Sequence, residues 1–232
     1  MRTFFTVQDI AKSFHLNPVL KGVSFTLEAG ETVLLFGRNG CGKTTLLRIL
    51  AGIMRPEAGT GQLNGQSLFT TDSRWRKGMV YLGHRPALYP AFTARENLKL
   101  SVRLRRQPWD EGMFQSLLKR YGLAGREDEP VRVYSEGMLQ RLGLIRLGMV
   151  PWQLALLDEP SSALDVDGAQ LLSETLKHWR SLTRTVFLTS HNMEWGAEQA
   201  GRALYLAQGR ISAELDSPTE KQLIAQLSSE TS

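Results

Sequence analysis

The residues from Gly37 to Thr44 have the types and the spacing of a phosphate-binding loop. Gly37, Gly42, Lys43 and Thr44 satisfy the pattern G-x-x-x-x-G-K-[ST]. In such a loop, glycines let backbone N–H groups point at phosphate oxygens, a lysine ammonium reaches the β- and γ-phosphates, and a hydroxyl ligates Mg²⁺. The segment therefore predicts a site for ATP or GTP. The residues expected to contact the nucleotide are Gly37, Arg38, Asn39, Gly40, Cys41, Gly42, Lys43, Thr44 and Thr45.

The elements around this loop support the interpretation. An apolar run of strand type, 32–36, precedes it, and apolar residues at helical spacing follow from Leu46 to Ile53. The alternative is a glycine-rich turn that happens to precede a lysine. The strand before the turn and the helix after it favour the phosphate loop, because the helix N-terminus adds a partial positive charge at the phosphates.

Two carboxylates, Asp158 and Glu159, follow the apolar run 154–157. Four apolar residues predict a buried strand, and α/β proteins bind ligands at the carboxyl ends of their strands. With a phosphate loop upstream, Asp158 is expected to hold Mg²⁺ together with Thr44 through water. Glu159 is then placed to act as the general base on an attacking water. An exposed acidic strand end is the alternative.

Two single residues, His191 and Phe14, have alternative explanations. His191 ends the apolar run 185–190, a position like that of Asp158, although a lone histidine is more often structural. Phe14 lies between two N-terminal strand patterns, and its ring can stack on a nucleotide base. Taken alone, such an aromatic is more often a core residue. Both interpretations remain open from the residues themselves.

Strand and helix patterns alternate over most of the chain. Strands are expected in the N-terminal segment 5–27 and at 61–67, 78–83, 154–157, 185–190 and 203–208. Helices are expected from the phosphate loop to about 54 and from a capping box at Thr93 and Glu96 to about 106. Another helix, with apolar residues at helical spacing from Met113 to Tyr121, is expected to end at Gly122. Further helices are expected at 135–149, at 168–182 and after a cap at 217–220.

The stretch from about 84 to 150 is mostly helical and interrupts the alternating strands and helices. This shift predicts one domain over 1–232, with a core formed by 1–83 and 151–232 and a helical subdomain at about 84–150.

Composition limits the broad class of the protein. A hydrophobic content of 42% and a charged content of 22% are those of an ordinary globular protein. No run approaches the roughly 18 apolar residues that a transmembrane helix needs, and no signal-peptide pattern opens the chain. The chain is therefore expected in the cytoplasm, with any membrane role acting through a partner. The single cysteine, Cys41, excludes an internal disulfide.

The net charge of +5 is compatible with nucleic acid or an anionic membrane surface as a partner. No aromatic-interleaved basic motif or zinc-finger spacing accompanies it, so a solvated basic face is favoured and no nucleic acid is expected. Much of the excess lies in Arg74, Arg76, Lys77, Lys99, Arg103, Arg105 and Arg106.

Taken in order, these segments resemble the ATP-binding subunit of ABC transporters over essentially the whole chain. The most specific likeness is Ser135-Glu136-Gly137-Met138, followed by Gln140-Arg141-Leu142, which resembles the family's signature motif and precedes Asp158 by 23 residues. The turn 162–165 resembles its D-loop, His191 its switch histidine, and Phe14 the aromatic that stacks on adenine.

The resemblance implies an α/β phosphate-loop NTPase with a mostly parallel sheet core, an N-terminal antiparallel β subdomain and an inserted α-helical subdomain. It implies ATP and Mg²⁺ as ligands, catalysis by Lys43, Glu159 and His191, and a separate membrane permease as partner. It also implies a head-to-tail dimer, in which Ser135, Gly137 and Met138 of a second ATPase subunit cover the ATP. Such a protein lies peripherally on the inner face of the cell membrane.

Two departures from the family pattern stand out. Tyr134, Glu136 and Met138 replace three of the five usual signature residues, a variation that looks typical of exporter-type ATPases. His84 occupies the position of a glutamine that contacts Mg²⁺ in the family, which makes it a third candidate metal ligand because a neutral imidazole can bind a metal.

The segment 81–84, followed by Leu88 and 93–98, is similar to the ATPases linked to haem export and cytochrome c maturation. ATPases of drug, lipid or polysaccharide exporters are the alternative. A soluble ABC-type ATPase acting on ribosomes or DNA usually has two cassettes or a long coiled coil, and neither is visible. A cassette that binds ATP without hydrolysis is disfavoured by the intact Lys43, Asp158, Glu159 and His191.

Overall fold

The computed structural model describes residues 3–71 and 74–229, which form two β-sheets and seven α-helices. The smaller sheet has four antiparallel strands in the order β2-β1-β4-β5. Its strands are β1 Thr3–Phe14, β2 Asn17–Glu28, β4 Ala58–Leu63 and β5 Gln66–Ser67. The predicted N-terminal antiparallel subdomain is confirmed.

The larger sheet has six strands in the order β10-β9-β3-β8-β7-β6. Its members are β3 Thr32–Phe36, β6 Met79–Leu82, β7 Leu154–Leu157, β8 Thr185–Thr189, β9 Arg202–Ala207 and β10 Arg210–Asp216. Five strands run parallel, and only the edge strand β10 pairs antiparallel with its neighbour. Since β3, β7 and β8 are adjacent, the segments that follow them meet at one edge of the sheet.

Both faces of the larger sheet are covered, which explains why its central strands are continuously apolar. Along β3, Val33 and Leu35 pack with the smaller sheet and the first helix, whereas Leu34 and Phe36 pack with the other helices. The same alternation continues in β7 and β8. The parallel sheet therefore carries helices on one side and the antiparallel sheet with one helix on the other.

The helices are α1 Lys43–Leu50, α2 Ala94–Leu104, α3 Glu111–Arg120, α4 Glu136–Gly148, α5 Val166–Ser181, α6 Met193–Gln199 and α7 Glu220–Ser228. The capping box predicted at Thr93 and Glu96 is present at the start of α2, and Ser135 is the N-cap of α4 as predicted. Helices α2, α3 and α4 all fall within 84–150, the predicted helical subdomain. No helix in the described part of the chain is both long and apolar enough to span a bilayer.

Helix α1 ends earlier than its apolar pattern predicts. It stops at Leu50, and Ile53 is 62% exposed instead of lying on a buried helix face. The reason is local. Gly52 adopts a left-handed φ of +69°, and the N–H groups of Gly52 and Ile53 donate to the Ile49 and Arg48 carbonyls. These bonds form a glycine C-cap, which ends the helix ahead of the proline that predicted its end.

Candidate functional site

The glycines of the phosphate loop are required by its conformation. Gly37 follows β3, and a Cβ there would lie 2.2 Å from the Leu206 carbonyl oxygen. Gly42 has a φ of +110° and is the N-cap of α1, where it provides no side-chain cap. The N–H groups in the first turn of α1 therefore lack a side-chain acceptor at the cap, which is the arrangement that binds anions.

Lys43 is held inside the loop rather than extended into solvent. Its Nζ donates to the Gly37 carbonyl at 2.7 Å and to the Arg38 carbonyl at 3.2 Å, and the residue is 8% exposed. Two backbone carbonyls therefore fix the ammonium beside the N-terminus of α1. This places a positive charge where the loop would receive a phosphate.

Asp158 is buried and surrounded by hydroxyl groups. Its Oδ1 accepts hydrogen bonds from Thr44 Oγ1 at 3.2 Å and Thr189 Oγ1 at 3.0 Å, and its Oδ2 accepts one from the Tyr81 hydroxyl at 3.5 Å. No lysine, arginine or histidine pairs with this carboxylate within the described residues. A buried carboxylate with only neutral donors favours an added cation.

The donor chemistry at this point fits Mg²⁺. A hydroxyl and a carboxylate are hard oxygen ligands, and Mg²⁺ in proteins usually keeps several waters and adds substrate phosphates to one or two side chains. Residues 3–71 and 74–229 contain no group of three or more His, Cys, Asp or Glu side chains able to hold a metal. An all-protein metal cage is therefore not the arrangement found here.

Glu159 is held in a strained position beside His191. Its φ is +54°, a left-handed value that residues other than glycine rarely adopt, and such strain collects at functional sites. Its N–H donates to Thr189 Oγ1 at 2.9 Å, and its Oε2 accepts from the His191 N–H at 2.9 Å. Thr189 at the end of β8 thus fixes the Glu159 backbone, and the His191 N–H, two residues further on, fixes its carboxylate.

The second carboxylate oxygen of Glu159 is buried and has no hydrogen-bond partner among the described residues. The His191 Nε2 lies 3.2 Å from Oε1, but within the described residues Oε1 has no partner with hydrogen-bond geometry. Burial raises the pKa of the Glu159 carboxyl, while the neighbouring His191 and Lys43 act in the opposite direction. A partly desolvated carboxylate with a raised pKa is a better proton acceptor than an exposed one.

These residues open into one cleft of about 450 Å³. It is lined by Phe14, Val19, Asn39, Gly40, Gly42, Lys43, Thr44, Thr45, Glu159 and His191. Phe14 is 41% exposed at its edge, so it is not the core residue that an isolated aromatic suggests. Among the lining residues, Val19 was not singled out from the sequence. The cleft thus combines an exposed aromatic ring, a phosphate loop and a carboxylate.

Two residues of the loop, Arg38 and Cys41, are not among the described residues that line the cleft. Cys41 is partly buried and packs against the apolar cluster below α1, and its Sγ would lie 2.8 Å from a Cβ on Gly37. Arg38 is exposed and contributes its carbonyl to Lys43. Their predicted contacts with nucleotide stay predictions.

Ser135, Gly137 and Met138 are absent from the described residues that line the cleft. Ser135 accepts a hydrogen bond from the Met138 N–H at 3.2 Å, and the Met138 side chain packs against the helical side of the core. Gly137 lies so close to the D-loop that a Cβ would be 2.9 Å from the Ala163 carbonyl oxygen. The signature segment therefore forms a separate surface at the N-terminus of α4.

His84 also lies apart from the cleft. It is exposed and lines another cavity, together with Glu136 and Ala163. Its Nδ1 is 3.3 Å from Ser162 Oγ, and that hydroxyl also donates to the Glu159 carbonyl at 3.0 Å. The contact of His84 in this structure is thus the D-loop, and its role as a metal ligand stays a prediction.

Two residues of the site were missed by the sequence analysis, Thr189 and Tyr81. The Thr189 hydroxyl donates to the Asp158 carboxylate and accepts from the Glu159 N–H, and the register that pairs Leu157 of β7 with Leu188 of β8 places it beside Asp158. Tyr81 reaches Asp158 from β6, the strand on the other side of β7. Both lie in apolar runs whose pattern predicts only a buried strand, so their hydroxyl contacts become visible only once the strand order is known.

Comparisons with known proteins agree with this geometry. The model of the family described as ABC transporter matches residues 20–162. The cytochrome c biogenesis ATP-binding export protein CcmA of Salmonella typhi is 38% identical over 191 residues, which cover 82% of this chain and 91% of that protein. The protein of the same name from Escherichia coli strain K12 is 38% identical over 194 residues, covering 84% and 92%.

Solved structures show the same fold. The ATP-binding subunit of an ABC transporter superposes with a TM-score of 0.88 at 24% identity, covering 97% of this chain and 100% of that one. A dimeric ATP-binding cassette in a post-hydrolysis state with ADP and Pi superposes with a TM-score of 0.85 at 22% identity, covering 92% and 99%. The predicted α/β phosphate-loop NTPase fold is therefore confirmed. Because the family model matches more than half of this chain, the chain belongs to the ABC transporter family.

Proposed function

We propose that the chain is the ATP-hydrolysing subunit of an ABC exporter, which drives a separate membrane permease in haem export or cytochrome c biogenesis. The observation that carries the proposal is the convergence of Lys43, Thr44, Asp158 and Glu159 beside a single cleft. The cytochrome c assignment rests on the relatives named above, which are ATP-binding export proteins of cytochrome c biogenesis.

The phosphate loop supplies the binding side of the reaction. The backbone N–H groups around Gly42 and the N-terminus of α1 would accept the phosphate oxygens, and the Lys43 ammonium would exchange its carbonyl partners for the β- and γ-phosphates. Phe14 would stack on the adenine, because its ring is exposed at the edge of the same cleft.

Thr44 and Asp158 would hold Mg²⁺, since their oxygens already lie 3.2 Å apart. Bound there, Mg²⁺ supplies the charge that offsets the phosphate oxygens in the transition state. Thr189 keeps Asp158 in place by donating to the same carboxylate oxygen that Thr44 contacts.

Glu159 would accept a proton from the attacking water as that water's oxygen bonds to the γ-phosphorus and the bridging oxygen leaves with ADP. Its Oε1 would receive this water, because Oε2 accepts from the His191 N–H, and the His191 ring 3.2 Å from Oε1 would turn aside to admit it. The His191 ring, 57% exposed at the cleft, would hydrogen-bond the γ-phosphate and keep water and phosphate aligned.

A second copy of the chain would complete the site. The cleft would leave one side of a bound triphosphate exposed, and Ser135 and Gly137, on a separate surface at the start of α4, would bind an anion there. Head-to-tail association would bring that surface of one subunit over the cleft of the other. Met138 would contribute its backbone at the same helix start.

For the permease contact we propose a second cavity, of about 310 Å³, on the protein surface beside β6. Arg105 and Arg146 line this cavity, and their guanidinium groups donate to backbone carbonyls. Neither guanidinium forms an ion pair with a carboxylate of the described residues. Burial lowers the pKa of both arginines, and for Arg146 the charge of Arg105 adds to this effect. With Arg76 and the exposed Ile53 at the same cavity, the surface suits a permease segment that carries an apolar residue and a carboxylate.

The docking proposal is tested by charge reversal. Arg76→Glu should reduce co-purification of the chain with its permease, whereas Lys119→Glu, an exposed change on α3, should not. Equal recovery of the permease with both variants would contradict the proposed docking surface but would leave the ATPase assignment unchanged.

The cellular function is tested by complementation. Cells that lack this chain should lose covalently haem-bound cytochromes c, measured by haem staining of separated proteins. The wild-type chain should restore them, and Lys43→Ala should not. Normal cytochromes c in the cells that lack the chain would contradict the cytochrome assignment and favour another exporter.

A further inference from the structure

Tyr81 has a contact that the functions assigned above do not use. Its phenolic hydroxyl donates to Oδ2 of Asp158 at 3.5 Å, from the neighbouring strand β6. The other oxygen of this carboxylate, Oδ1, is already shared by Thr44 and Thr189. Tyr81 therefore supplies the one hydrogen bond to Oδ2 found among the described residues.

The three donors together fix the carboxylate plane of Asp158. Rotation about the Cβ–Cγ bond would move both carboxylate oxygens, so the two hydroxyls on Oδ1 and the third donor on Oδ2 oppose it together. Ligating carboxylates are commonly held by hydrogen bonds of this kind, which orient the oxygen that meets the metal. The position of Tyr81 matches such a support.

Packing keeps the phenol in place. The Tyr81 side chain is half-buried and packs against the apolar cluster around α1. A neutral tyrosine hydroxyl carries one hydrogen that it can donate, here to the Asp158 carboxylate.

Gly83 gives the phenol its space. Gly83 directly follows β6, and a Cβ on it would be 3.0 Å from the Tyr81 hydroxyl oxygen and 3.1 Å from its ring. A larger residue at 83 would push the hydroxyl by a few tenths of an ångström. Because the hydroxyl-to-Oδ2 distance is already 3.5 Å, a displacement of that size away from Asp158 would break the hydrogen bond.

We propose that Tyr81 is a positioning residue of the metal site, which orients the Asp158 carboxylate for Mg²⁺ and depends on Gly83 for its own placement. The proposal rests on the proposed function, in which Asp158 and Thr44 hold the metal. It gives the segment 81–83 a physical role in the reaction, beyond its resemblance to other exporters.

The test measures metal binding directly. Mn²⁺ is titrated into the protein with saturating non-hydrolysable ATP analogue, and free Mn²⁺ is followed by electron paramagnetic resonance. Tyr81→Phe removes only the hydroxyl and should weaken Mn²⁺ binding about tenfold, the lower end for a supporting partner of a metal ligand. Gly83→Ala should also weaken Mn²⁺ binding. For both variants, nucleotide binding measured in EDTA should equal that of the wild type.

The hydrolysis readout separates positioning from general damage. With Tyr81→Phe, the Mg²⁺ concentration for half-maximal ATPase should rise about tenfold with kcat at saturating Mg²⁺ unchanged. Tyr121→Phe is the matched control, because it also removes a buried phenol hydroxyl, one bonded to Thr175 away from the cleft. Its Mn²⁺ affinity should equal that of the wild type.

Two outcomes distinguish the possible failures. If Tyr81→Phe and Gly83→Ala bind Mn²⁺ within twofold of the wild type while Asp158→Asn does not, the positioning role of Tyr81 is wrong and the metal site stands. If Asp158→Asn also binds Mn²⁺ normally, the metal assignment in the proposed function is wrong.

Discussion

Thr44 Oγ1 donates a hydrogen bond to Asp158 Oδ1 at 3.2 Å, which joins residues 114 positions apart. Thr44 belongs to the first turn of α1, and Asp158 follows β7. The contact exists because β3, which leads into the phosphate loop, and β7 both flank β8 in the sheet. The order of the strands therefore brings the two proposed Mg²⁺ ligands together.

Removing the Thr44 hydroxyl should therefore damage the metal-dependent reaction specifically. Thr44→Ala is expected to lower kcat/KM for Mg²⁺-ATP by at least about tenfold, the usual scale for a lost metal-site contact, whereas Thr44→Ser retains the hydroxyl and most of the activity. Steady-state ATPase assays over a Mg²⁺ series measure the effect. Equal loss in both variants would indicate a packing role for the threonine methyl group.

Phe14 should contribute to nucleotide affinity through its exposed ring. Phe14→Ala is expected to weaken ATP binding about tenfold, since stacking on a base is worth about 1–3 kcal/mol, and Phe14→Tyr should retain it. Isothermal titration calorimetry gives the two dissociation constants. Phe92→Ala is the matched control, because Phe92 is 40% exposed but lies outside the cleft lining. An equal effect at both positions would contradict stacking.

Alkylation of Cys41 should block nucleotide binding. The Sγ packs in the phosphate loop where a Gly37 Cβ would already lie 2.8 Å away, so an added maleimide group must displace the loop. N-ethylmaleimide is expected to abolish ATP binding, and bound ATP should slow the modification. Cys41→Ala removes the single thiol and should make binding insensitive to the reagent. Normal ATP binding by fully alkylated protein would show that the loop has more room than described.

The first turn of α3 provides a pH-dependent contribution to stability. Hydrogen bonds from Gln115, Arg95 and Trp109 lower the pKa of the Glu111 carboxyl to about 2. Because this folded-state pKa lies below the ordinary 4.5, the stabilisation is complete above pH 4.5 and is lost as the pH falls toward 2.

Glu111→Gln should accordingly lower Tm at pH 7, with a gap to the wild type that narrows below pH 4.5. The gap should also shrink at high salt, since the carboxylate is exposed and its ion pair with Arg95 is screened. Differential scanning fluorimetry from pH 7 to pH 3 measures it. A gap that stays constant over this range would contradict the assigned charge interaction.

Local patterns predict most of the fold and the centre of the site. The phosphate loop, the carboxylates after β7 and the caps of α2 and α4 lie within a few consecutive residues, so their physical cause is visible in the sequence. The predicted end of α1 was wrong, because the apolar spacing that includes Ile53 outweighed Gly52, whose left-handed conformation ends the helix. Helix α6 was not predicted, since seven residues are too few to show a helical period.

The parts of the site that the sequence does not reveal depend on strand order. Thr189 and Tyr81 each follow an apolar pattern that predicts burial, yet both place a hydroxyl on Asp158 because β8 and β6 flank β7. The pairing of His84 with Ser162 likewise joins two loops far apart in the chain. Such contacts follow from the three-dimensional register and not from local composition.

The ATPase rate of Glu159→Gln tests the proposed catalytic site most directly. The change keeps the side-chain shape and removes the proton acceptor, so kcat should fall by about two to four orders of magnitude, the range for loss of a general base. ATP binding should stay close to that of the wild type, and the variant should accumulate as an ATP-bound dimer, measured by light scattering after chromatography. Hydrolysis at the wild-type rate by a folded Glu159→Gln protein would contradict the role of Glu159 and with it the proposed mechanism.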